Sequence, residues 1–278
     1  MRSVKNGENC NSDLMGDRGL SYGDGLFETF LVHNGSAPLL SYHLERMRRG
    51  CQVLRIDPVC MKRVESDIQC RLPEFSDGHF VFKVILSRGS GGRGYSFDSL
   101  NLRPNVWVSA MPYRPPADIK NAGIEVGICT YQLPLNPVLA GIKHLNRLDQ
   151  VMCAMELEDR FEAIVCDRAN RVVEGVKSNI LLFKGEEIFT PEIREAGIEG
   201  VAKQFLKRES HQIGCTIKEI SLQPNEVDDF SGIAFVNSVV GLVPVTRVGN
   251  RQLTINDTCR ALQTFLDTRL GYLLERSD

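Results

Sequence analysis

The chain has 278 residues, of which 42% are hydrophobic and 24% charged, an ordinary composition for a folded protein and a length that suggests two domains. Its 33 Lys and Arg residues nearly balance 35 Asp and Glu residues, so the formal charge of −2 excludes the strongly basic surface that holds nucleic-acid phosphates. No apolar run reaches the roughly 20 residues that cross a bilayer, and we expect a partner that is a small molecule, neither nucleic acid nor membrane.

The first part of the chain has the hydrophobic patterns of a small sheet with one or two helices. These patterns predict strands at 26–32, 79–87 and 106–111 and a helix at 41–56. Three prolines, Pro112, Pro115 and Pro116, then interrupt any strand, because proline has no amide donor. We therefore predict a small N-terminal α+β domain at 1–113 and a linker at about 112–122.

The remainder predicts a larger C-terminal domain at 122–278 that is rich in strands and also contains helices. Strand patterns occupy 124–131, 162–167, 179–184, 188–190, 216–220, 232–237 and 243–248, and helical patterns occupy 145–155, the segment from 198 onward and 255–275. Hairpin-linked strands mixed with isolated helices indicate an α+β fold and not a regularly alternating parallel sheet.

The nine cysteines form no CxxC pair, and the chain shows no secretory segment. This pattern predicts reduced, mostly buried thiols in a cytoplasmic protein. The five histidines show no HExxH spacing and the cysteines no zinc knuckle, so we predict no metal site.

A glycine-rich segment follows the predicted strand at 79–87. Residues 89–94 satisfy the pattern GxGxxG, but dinucleotide binding requires a helix directly afterwards, and here another strand follows. The segment also carries Arg88 and Arg93, whose guanidinium groups are able to hold a carboxylate through paired hydrogen bonds. A solvated hairpin tip is the alternative, and the loop sequence leaves both open.

Two charged residues lie where they could act in catalysis. Lys143 follows the apolar run 138–142 and enters a helical pattern; burial there would lower its pKa and make its amine nucleophilic, whereas the alternative is a surface lysine. Glu174 precedes a glycine at a strand end. Its carboxylate would either pair with a protonated ring nitrogen or face water in a turn. The spacing of the residues does not distinguish between these two alternatives.

Two further segments offer hydrogen-bond donors. The loop at 190–200 enters a helix, and the free amides of a helix N-terminus favour a phosphate. Asn237 and Ser238 would either donate to a ligand or form a turn before Gly241. Neither pattern is specific by itself.

Five motifs join these residues in chain order. They are 22–29 (YGDGLFET), 43–46 (HLER), 143–146 (KHLN), 174–179 (EGVKSN) and 197–198 (GI). With them, nearly the whole chain resembles the fold type IV pyridoxal-phosphate (PLP) enzymes, which include branched-chain aminotransferases, D-amino acid aminotransferases and 4-amino-4-deoxychorismate lyases. The resemblance implies the two-domain α+β fold of that family, PLP as cofactor and a homodimer.

The resemblance also implies roles for individual residues. Lys143 would be the Schiff-base lysine, and Glu174 would contact the pyridine nitrogen. The other implied cofactor-binding residues are Arg46, Asn179, Gly197, Ile198, Asn237 and Ser238. Thr29 would relay a proton, and the substrate's carboxylates would meet Arg88, Arg93 and Tyr95. The sequence departs from the family pattern at Val176-Lys177, where small residues are commoner, and at Glu199-Gly200, which offers no hydroxyl to the phosphate.

Segments 87–96, 136–148 and 237–244 are most similar to the lyases of this family. The similarity implies elimination of pyruvate from 4-amino-4-deoxychorismate, giving 4-aminobenzoate for folate biosynthesis. An aminotransferase of the same fold is the first alternative, because the same residues would serve it. A nucleotide-dependent oxidoreductase and a non-catalytic binding protein are alternatives from other classes, the latter disfavoured by the presence of both Lys143 and Glu174.

Overall fold

The computed structural model describes residues 2–5, 8–9, 16–97 and 103–272. Contacts divide the chain into two units, Met1–Arg114 with Ile142–Arg147, and Pro115–Gly141 with Leu148–Asp278. The sequence predicted a continuous second domain, whereas the structure groups 142–147 with the first unit because this segment hydrogen-bonds to a strand there. The predicted linker differs too, since its second half is a helix in contact with a strand of the second unit.

The first unit is built on a five-stranded antiparallel sheet with the order β2-β1-β5-β4-β3. Its elements are β1 (Arg2–Lys5), β2 (Glu8–Asn9), α1 (Arg18–Tyr22), β3 (Gly25–His33), α2 (Leu40–Leu54), α3 (Cys60–Gln69), β4 (His79–Ser87) and β5 (Asn105–Pro112), with a 3-10 turn at Leu72–Phe75. The three predicted strands and the predicted helix of this region are confirmed to within two residues.

Helix α2 packs on β3 through small and apolar side chains. Leu26 and Phe30 of β3 are buried, as are Met47 and Cys51 of α2. A Cβ at Gly50 would lie 2.5 Å from the side chain of Leu26, so glycine permits the close approach of the helix. This packing fixes the position of the polar residues that α2 and β3 carry.

The second unit contains a seven-stranded sheet and a separate two-stranded hairpin. Its elements are α4 (Ala117–Ala122), β6 (Ile124–Val126), α5 (Leu148–Met155), β7 (Ile164–Cys166), β8 (Val172–Gly175), β9 (Asn179–Lys184), β10 (Glu187–Pro191), α6 (Val201–Glu209), β11 (Ile217–Ile220), β12 (Gly232–Asn237), β13 (Gly241–Val248), β14 (Arg251–Gln252) and α7 (Asp257–Leu270), with 3-10 turns at Ser210–Ile213 and Pro224–Asp229. The large sheet has the order β11-β10-β9-β12-β13-β14, with β6 parallel to β13, and β7 pairs with β8. The predicted α+β class is confirmed.

Three sequence predictions for this unit were too long. The strand at 124–131 ends at Val126, and further along the amides of Thr130 and Tyr131 bond to the carboxylate of Glu156. The helix expected at 145 begins at Leu148, because 143–145 pairs with β3, and the helix expected at 198 begins at Val201. Cys10 and the last residues of the predicted closing helix, 273–275, lie outside the described residues. Among the described helices, none combines the length and hydropathy required to cross a bilayer.

Candidate active site

Two of the five motifs meet along the edge of the first sheet. The main-chain N–H of Phe27 donates to the carbonyl of Lys143 at 3.0 Å, and that of Leu145 donates to the carbonyl of Gly25 at 3.0 Å. Gly25 has no room for a side chain, since a Cβ there would lie 2.4 Å from a backbone carbonyl oxygen and 2.9 Å from Leu145. The segment that carries Lys143 is therefore held against β3 by its backbone.

The sequence predicted that Lys143 enters a helix, whereas in the structure it lies in an irregular segment before α5. Gly141, with φ of 83°, redirects the chain just before it. The Lys143 side chain is half-buried, and its Nζ lies 4.4 Å from the centre of the Phe27 ring. An ammonium over an aromatic face is attracted by the ring quadrupole, which holds this amine beside β3.

A buried charge cluster lies on the opposite face of β3, which carries Glu28. The Glu28 carboxylate accepts hydrogen bonds from Arg46 Nε at 2.8 Å and Nη2 at 2.5 Å, and its Oε2 lies 2.6 Å from His43 Nδ1. Burial acts to raise the pKa of Glu28, but Arg46 and His43 outweigh it and lower the pKa to about 2. Glu28 stays ionised and orients both α2 side chains.

His43 has one nitrogen left over. Burial lowers its pKa, as do the positive charges of Arg46 and Lys143, against the opposing effect of Glu28. Its Nε2 atom is buried and has no hydrogen-bond partner among the described residues. A buried polar atom without a partner is costly. Because Nδ1 faces the ionised Glu28 carboxylate, the proton of the neutral ring lies on Nδ1, and Nε2 is left as an acceptor for a donor group of a ligand.

Thr29 shares one face of β3 with Phe27, because side chains alternate along a strand. Its side chain is half-buried. Thr29 is thus on the same face of the sheet as the ring that the Lys143 amine touches.

In the second unit, Glu174 near the end of β8 is buried, with 4% of its surface exposed. Its Oε2 accepts a hydrogen bond from the main-chain N–H of Ile198 at 2.8 Å, and its Oε1 lies 3.4 Å from the amide nitrogen of Gln150 in α5. Of the two possibilities left open by the sequence, the structure has the buried carboxylate and not the turn residue that faces water.

The loop before α6 passes very close to β8 and β9. Gly197 has φ of 84°, and a Cβ there would lie 2.5 Å from Val173 and 3.2 Å from Glu174 Oε2. A Cβ at Gly200 would lie 1.7 Å from Asn179 Oδ1, while Asn179 Nδ2 donates to the Ile198 carbonyl at 2.9 Å. The main-chain N–H of Ile198 donates to Glu174. This hydrogen bond does not support the expectation that the same N–H binds a phosphate.

The turn from β12 to β13 joins the same network. Asn237 Oδ1 accepts hydrogen bonds from the main-chain N–H groups of Val239 and Val240 at 2.9 and 2.8 Å, and its Nδ2 donates to Ser178 Oγ at 3.1 Å. Asn237 therefore forms the turn and also supports the start of β9. Ser238 lies in this turn and is half-buried.

The sequence did not predict a structural role for Glu162 in this site. Its carboxylate is fully buried and accepts hydrogen bonds from the main-chain N–H groups of Val176 at 2.6 Å and Lys177 at 3.4 Å. Burial raises the pKa of Glu162, against a hydrogen bond from Ser178 and the charge of Lys177. Glu162 holds the turn between Glu174 and Asn179, and an acidic residue just before the apolar run 163–166 was the available signal.

The three expected substrate ligands have different surroundings. Arg88 is buried, and its guanidinium donates to Asp24 at 2.8 Å and to the carbonyls of Leu54 and Arg55 at 2.6 and 3.0 Å. This side chain serves the fold, so we do not retain it as a carboxylate ligand. Arg93 and Tyr95 are exposed on the glycine loop, and Tyr95 is 86% exposed.

A family model for class IV aminotransferases matches residues 25–248. The chain belongs to the class IV aminotransferase family. Enzymes of this family, fold type IV, bind PLP. The motifs of Lys143, Glu174 and Gly197 all fall within the matched residues.

Similar proteins of this family include lyases and aminotransferases. A crystal structure of 4-amino-4-deoxychorismate lyase from Pseudomonas aeruginosa is 32% identical, with a TM-score of 0.90, covering 96% of this chain and 98% of that one. Aminodeoxychorismate lyase from Vibrio harveyi is 29% identical, covering 91% and 95% of the two chains. D-alanine aminotransferase from Bacillus licheniformis is 23% identical, covering 85% and 83%. The fold type IV assignment made from the sequence is confirmed.

Proposed function

We propose that this class IV enzyme is a PLP-dependent aminodeoxychorismate lyase, which eliminates pyruvate from 4-amino-4-deoxychorismate and supplies 4-aminobenzoate for folate biosynthesis. The observation that carries the proposal is the 32% identity, over nearly the full length of both chains, to a 4-amino-4-deoxychorismate lyase. The arrangement of residues within each unit supports it.

The first unit has groups that fit PLP. Arg46 is suited to its phosphate, because a guanidinium is a charge-assisted donor to phosphate oxygens. Lys143 is suited to its aldehyde, since an amine is the side chain that condenses with a carbonyl. Glu28 acts indirectly by orienting Arg46 and His43.

The second unit supplies Glu174. A buried carboxylate whose one oxygen is fixed by the Ile198 amide presents a stationary negative charge, which suits a protonated pyridine nitrogen. Glu162, Asn179 and Asn237 hold the segments on either side of it in place. When bound, PLP supplies a conjugated ring that accepts electrons released at the substrate carbon.

In this proposal Lys143 has two tasks. Its amine would first bind the cofactor aldehyde and, when free again, would remove the proton from the substrate ring carbon that bears nitrogen. The bond between the neighbouring ring carbon and the ether oxygen would then break, so that the ring becomes aromatic and the enolpyruvate that leaves becomes pyruvate by tautomerisation. Thr29, on the Phe27 face of β3, passes a proton to the leaving oxygen.

An assay of products separates the lyase from the aminotransferase alternative. Purified protein loaded with PLP is incubated with aminodeoxychorismate, and 4-aminobenzoate and pyruvate are measured; we expect both in equal amounts. A second incubation contains D-alanine or a branched-chain amino acid with 2-oxoglutarate. Glutamate formation there, without 4-aminobenzoate in the first incubation, would refute the lyase and support the alternative.

We also propose that the enzyme is a homodimer, with α5 in the interface. Leu148, Val151, Met152 and Met155 recur at helical spacing on α5 and are 45–79% exposed. An apolar stripe of this kind on a helix marks an association surface. Light scattering should give twice the mass of the chain, and Met155→Glu should shift the protein toward monomer, whereas Val59→Glu, at another exposed apolar residue, should not.

A further inference from the structure

Arg18 in α1 has no role in the proposed chemistry, yet its side chain donates five hydrogen bonds within the first unit. It is only 4% exposed. Its Nη1 donates to the carbonyls of Gly91, Gly94 and Ser96 at 3.4, 3.0 and 3.3 Å, and its Nη2 donates to that of Tyr95 at 3.0 Å. Four carbonyls of the glycine loop, 89–97, thus converge on one guanidinium.

A carboxylate, Asp24, holds the Arg18 guanidinium in position. Arg18 Nε donates to Asp24 Oδ2 at 2.9 Å, and the same oxygen accepts a hydrogen bond from Arg88 at 2.8 Å. Burial acts to raise the pKa of Asp24, but the hydrogen bonds and charges of Arg88 and Arg18 outweigh it and lower the pKa below 3.8. The carboxylate therefore stays ionised and joins α1, the loop and the end of α2 in one network.

The loop backbone takes a shape that has little intrinsic stability. Gly89, Gly91, Gly92 and Gly94 all have positive φ, between 58° and 131°. Glycine loses more conformational entropy on ordering than other residues, so a segment with four of them requires an external constraint to hold one conformation. The Arg18 guanidinium is that constraint, because without a cation at their centre the convergent carbonyl oxygens would repel one another.

We propose that Arg18 is a positioning residue that shapes the glycine loop, so that Arg93 and Tyr95 are held ready for a carboxylate of the substrate. The second part of this statement rests on the proposed function. Arg18 itself touches backbone carbonyls and Asp24, and its effect reaches the substrate through the loop.

The arrangement explains why an arginine occupies this position. A planar guanidinium presents donors in several fixed directions at once, whereas the lysine ammonium is a compact point charge on a flexible stem. Two rings, Tyr22 and Phe97, lie 5.0 and 5.5 Å from the Arg18 guanidinium carbon. Tyr22 in turn meets the Tyr95 ring edge-on at 5.4 Å, so the loop is also held at its exposed tip.

The test uses two readouts on Arg18→Ala and Arg18→Lys. The first is trypsin cleavage after the exposed Arg93, followed by mass spectrometry of the fragment that ends there; we expect cleavage to accelerate about tenfold or more in both variants, because an ordered loop resists the protease. The second is steady-state kinetics with aminodeoxychorismate. We expect KM to rise about tenfold with kcat within about threefold of wild type, since what is lost is pre-organisation for binding.

Two glycines provide a matched pair. A Cβ at Gly92 would lie 3.2 Å from Arg18 Nη1 and 2.3 Å from the Ser96 carbonyl, whereas a Cβ at Gly94 meets nothing within 4 Å. Both have positive φ, so Gly92→Ala and Gly94→Ala share the backbone strain and differ in the contacts of the added Cβ with the Ser96 carbonyl and with Arg18. Gly92→Ala should show the larger increases in cleavage and KM. Arg160→Ala, at a half-exposed arginine of the second unit, controls for loss of a positive charge.

The outcomes are distinguishable. Folded Arg18 variants whose cleavage rate and KM both equal those of wild type would overturn the role of Arg18; if Arg18→Ala does not fold, Arg18→Lys decides. The cleavage readout needs no substrate. Wild-type protein that lacks lyase activity, together with faster cleavage in Arg18→Ala, would therefore refute the proposed function and retain the loop-shaping role.

Discussion

The main-chain N–H of Ile198 donates to one oxygen of Glu174 at 2.8 Å, so a loop that precedes a helix fixes the orientation of a buried carboxylate. The bond ties two of the sequence motifs together inside the second unit. It leaves the charge of Glu174 where the proposed function requires it, and it gives the first prediction.

Glu174→Gln keeps the shape of the side chain and removes its charge. We expect PLP to bind more weakly but still measurably, because the other contacts remain, and the turnover number to fall about 100-fold, the usual size of the loss when one preorganised electrostatic partner is removed. Stopped assays of 4-aminobenzoate and a visible spectrum of the bound cofactor would measure both. Turnover equal to that of wild type would contradict a role for this charge.

Lys143 and Lys83 form a natural pair for a second prediction. Their amines lie 4.4 and 5.6 Å from the centre of the same Phe27 ring, but Lys83 is exposed and has no assigned task. Lys143→Ala should remove both the yellow absorbance of covalently held PLP and all turnover above background. Lys83→Ala should keep both, and a Lys143→Ala protein that still turned over substrate would disprove the assignment.

The buried Glu28 makes stability depend on pH. Its folded pKa of about 2 is below the usual 4.5, so the carboxylate stabilises the fold above pH 4.5 and this contribution is lost as pH falls from 4.5 toward 2. The shift corresponds to about 3 kcal/mol. Urea unfolding of wild type should show this loss, to which His43 adds in the same direction, because its pKa is also lowered from 6.5.

The variant Glu28→Gln isolates that contribution. It should be less stable than wild type at pH 7, since Arg46 is left buried with a weaker partner, and its stability should change less between pH 4.5 and pH 3. Glu187→Gln removes a carboxylate from an exposed pair with Lys218 and should leave the profile nearly unchanged. A Glu28→Gln profile parallel to that of wild type would show that Glu28 does not cause the acid loss.

The sequence predicted most strands and the long helices because their hydrophobic periodicity reflects burial directly. β3, β4 and α2 each lie within two residues of the prediction. The starts of α5 and α6 were placed too early because the residues before them have apolar side chains at helical spacing, while their backbone bonds go elsewhere: 143–145 to β3, and Ile198 to Glu174. Periodicity carries no information on where a backbone amide finds its partner.

The site could be predicted only where a motif carried it. Lys143, Glu174 and Arg46 were predicted as site residues from the resemblance, whereas Glu28 lies inside the motif at 22–29 and was given no role. Arg18 and Glu162 were missed because each acts on backbone groups, Arg18 on carbonyls of the glycine loop and Glu162 on amides of the turn after β8. Such contacts depend on three-dimensional proximity, and a single sequence gives no spacing rule for them.

Gly197 allows the last prediction, on the close approach that orients Glu174. Its φ of 84° costs a residue with a Cβ about 1–2 kcal/mol, and the added atom would also lie 2.5 Å from Val173 and 3.2 Å from Glu174 Oε2. Gly185 has φ of 61° with nothing within 4 Å of its Cβ, so Gly185→Ala carries the backbone cost alone. Both variants should lose stability in urea unfolding, and Gly197→Ala should lose more than Gly185→Ala.

Only Gly197→Ala should also weaken PLP binding, measured by titrating the apoprotein. In this variant the loop must move, which takes the Ile198 amide away from Glu174. Equal PLP affinity in the two variants would mean that the approach of this loop to β8 does not set the position of the carboxylate.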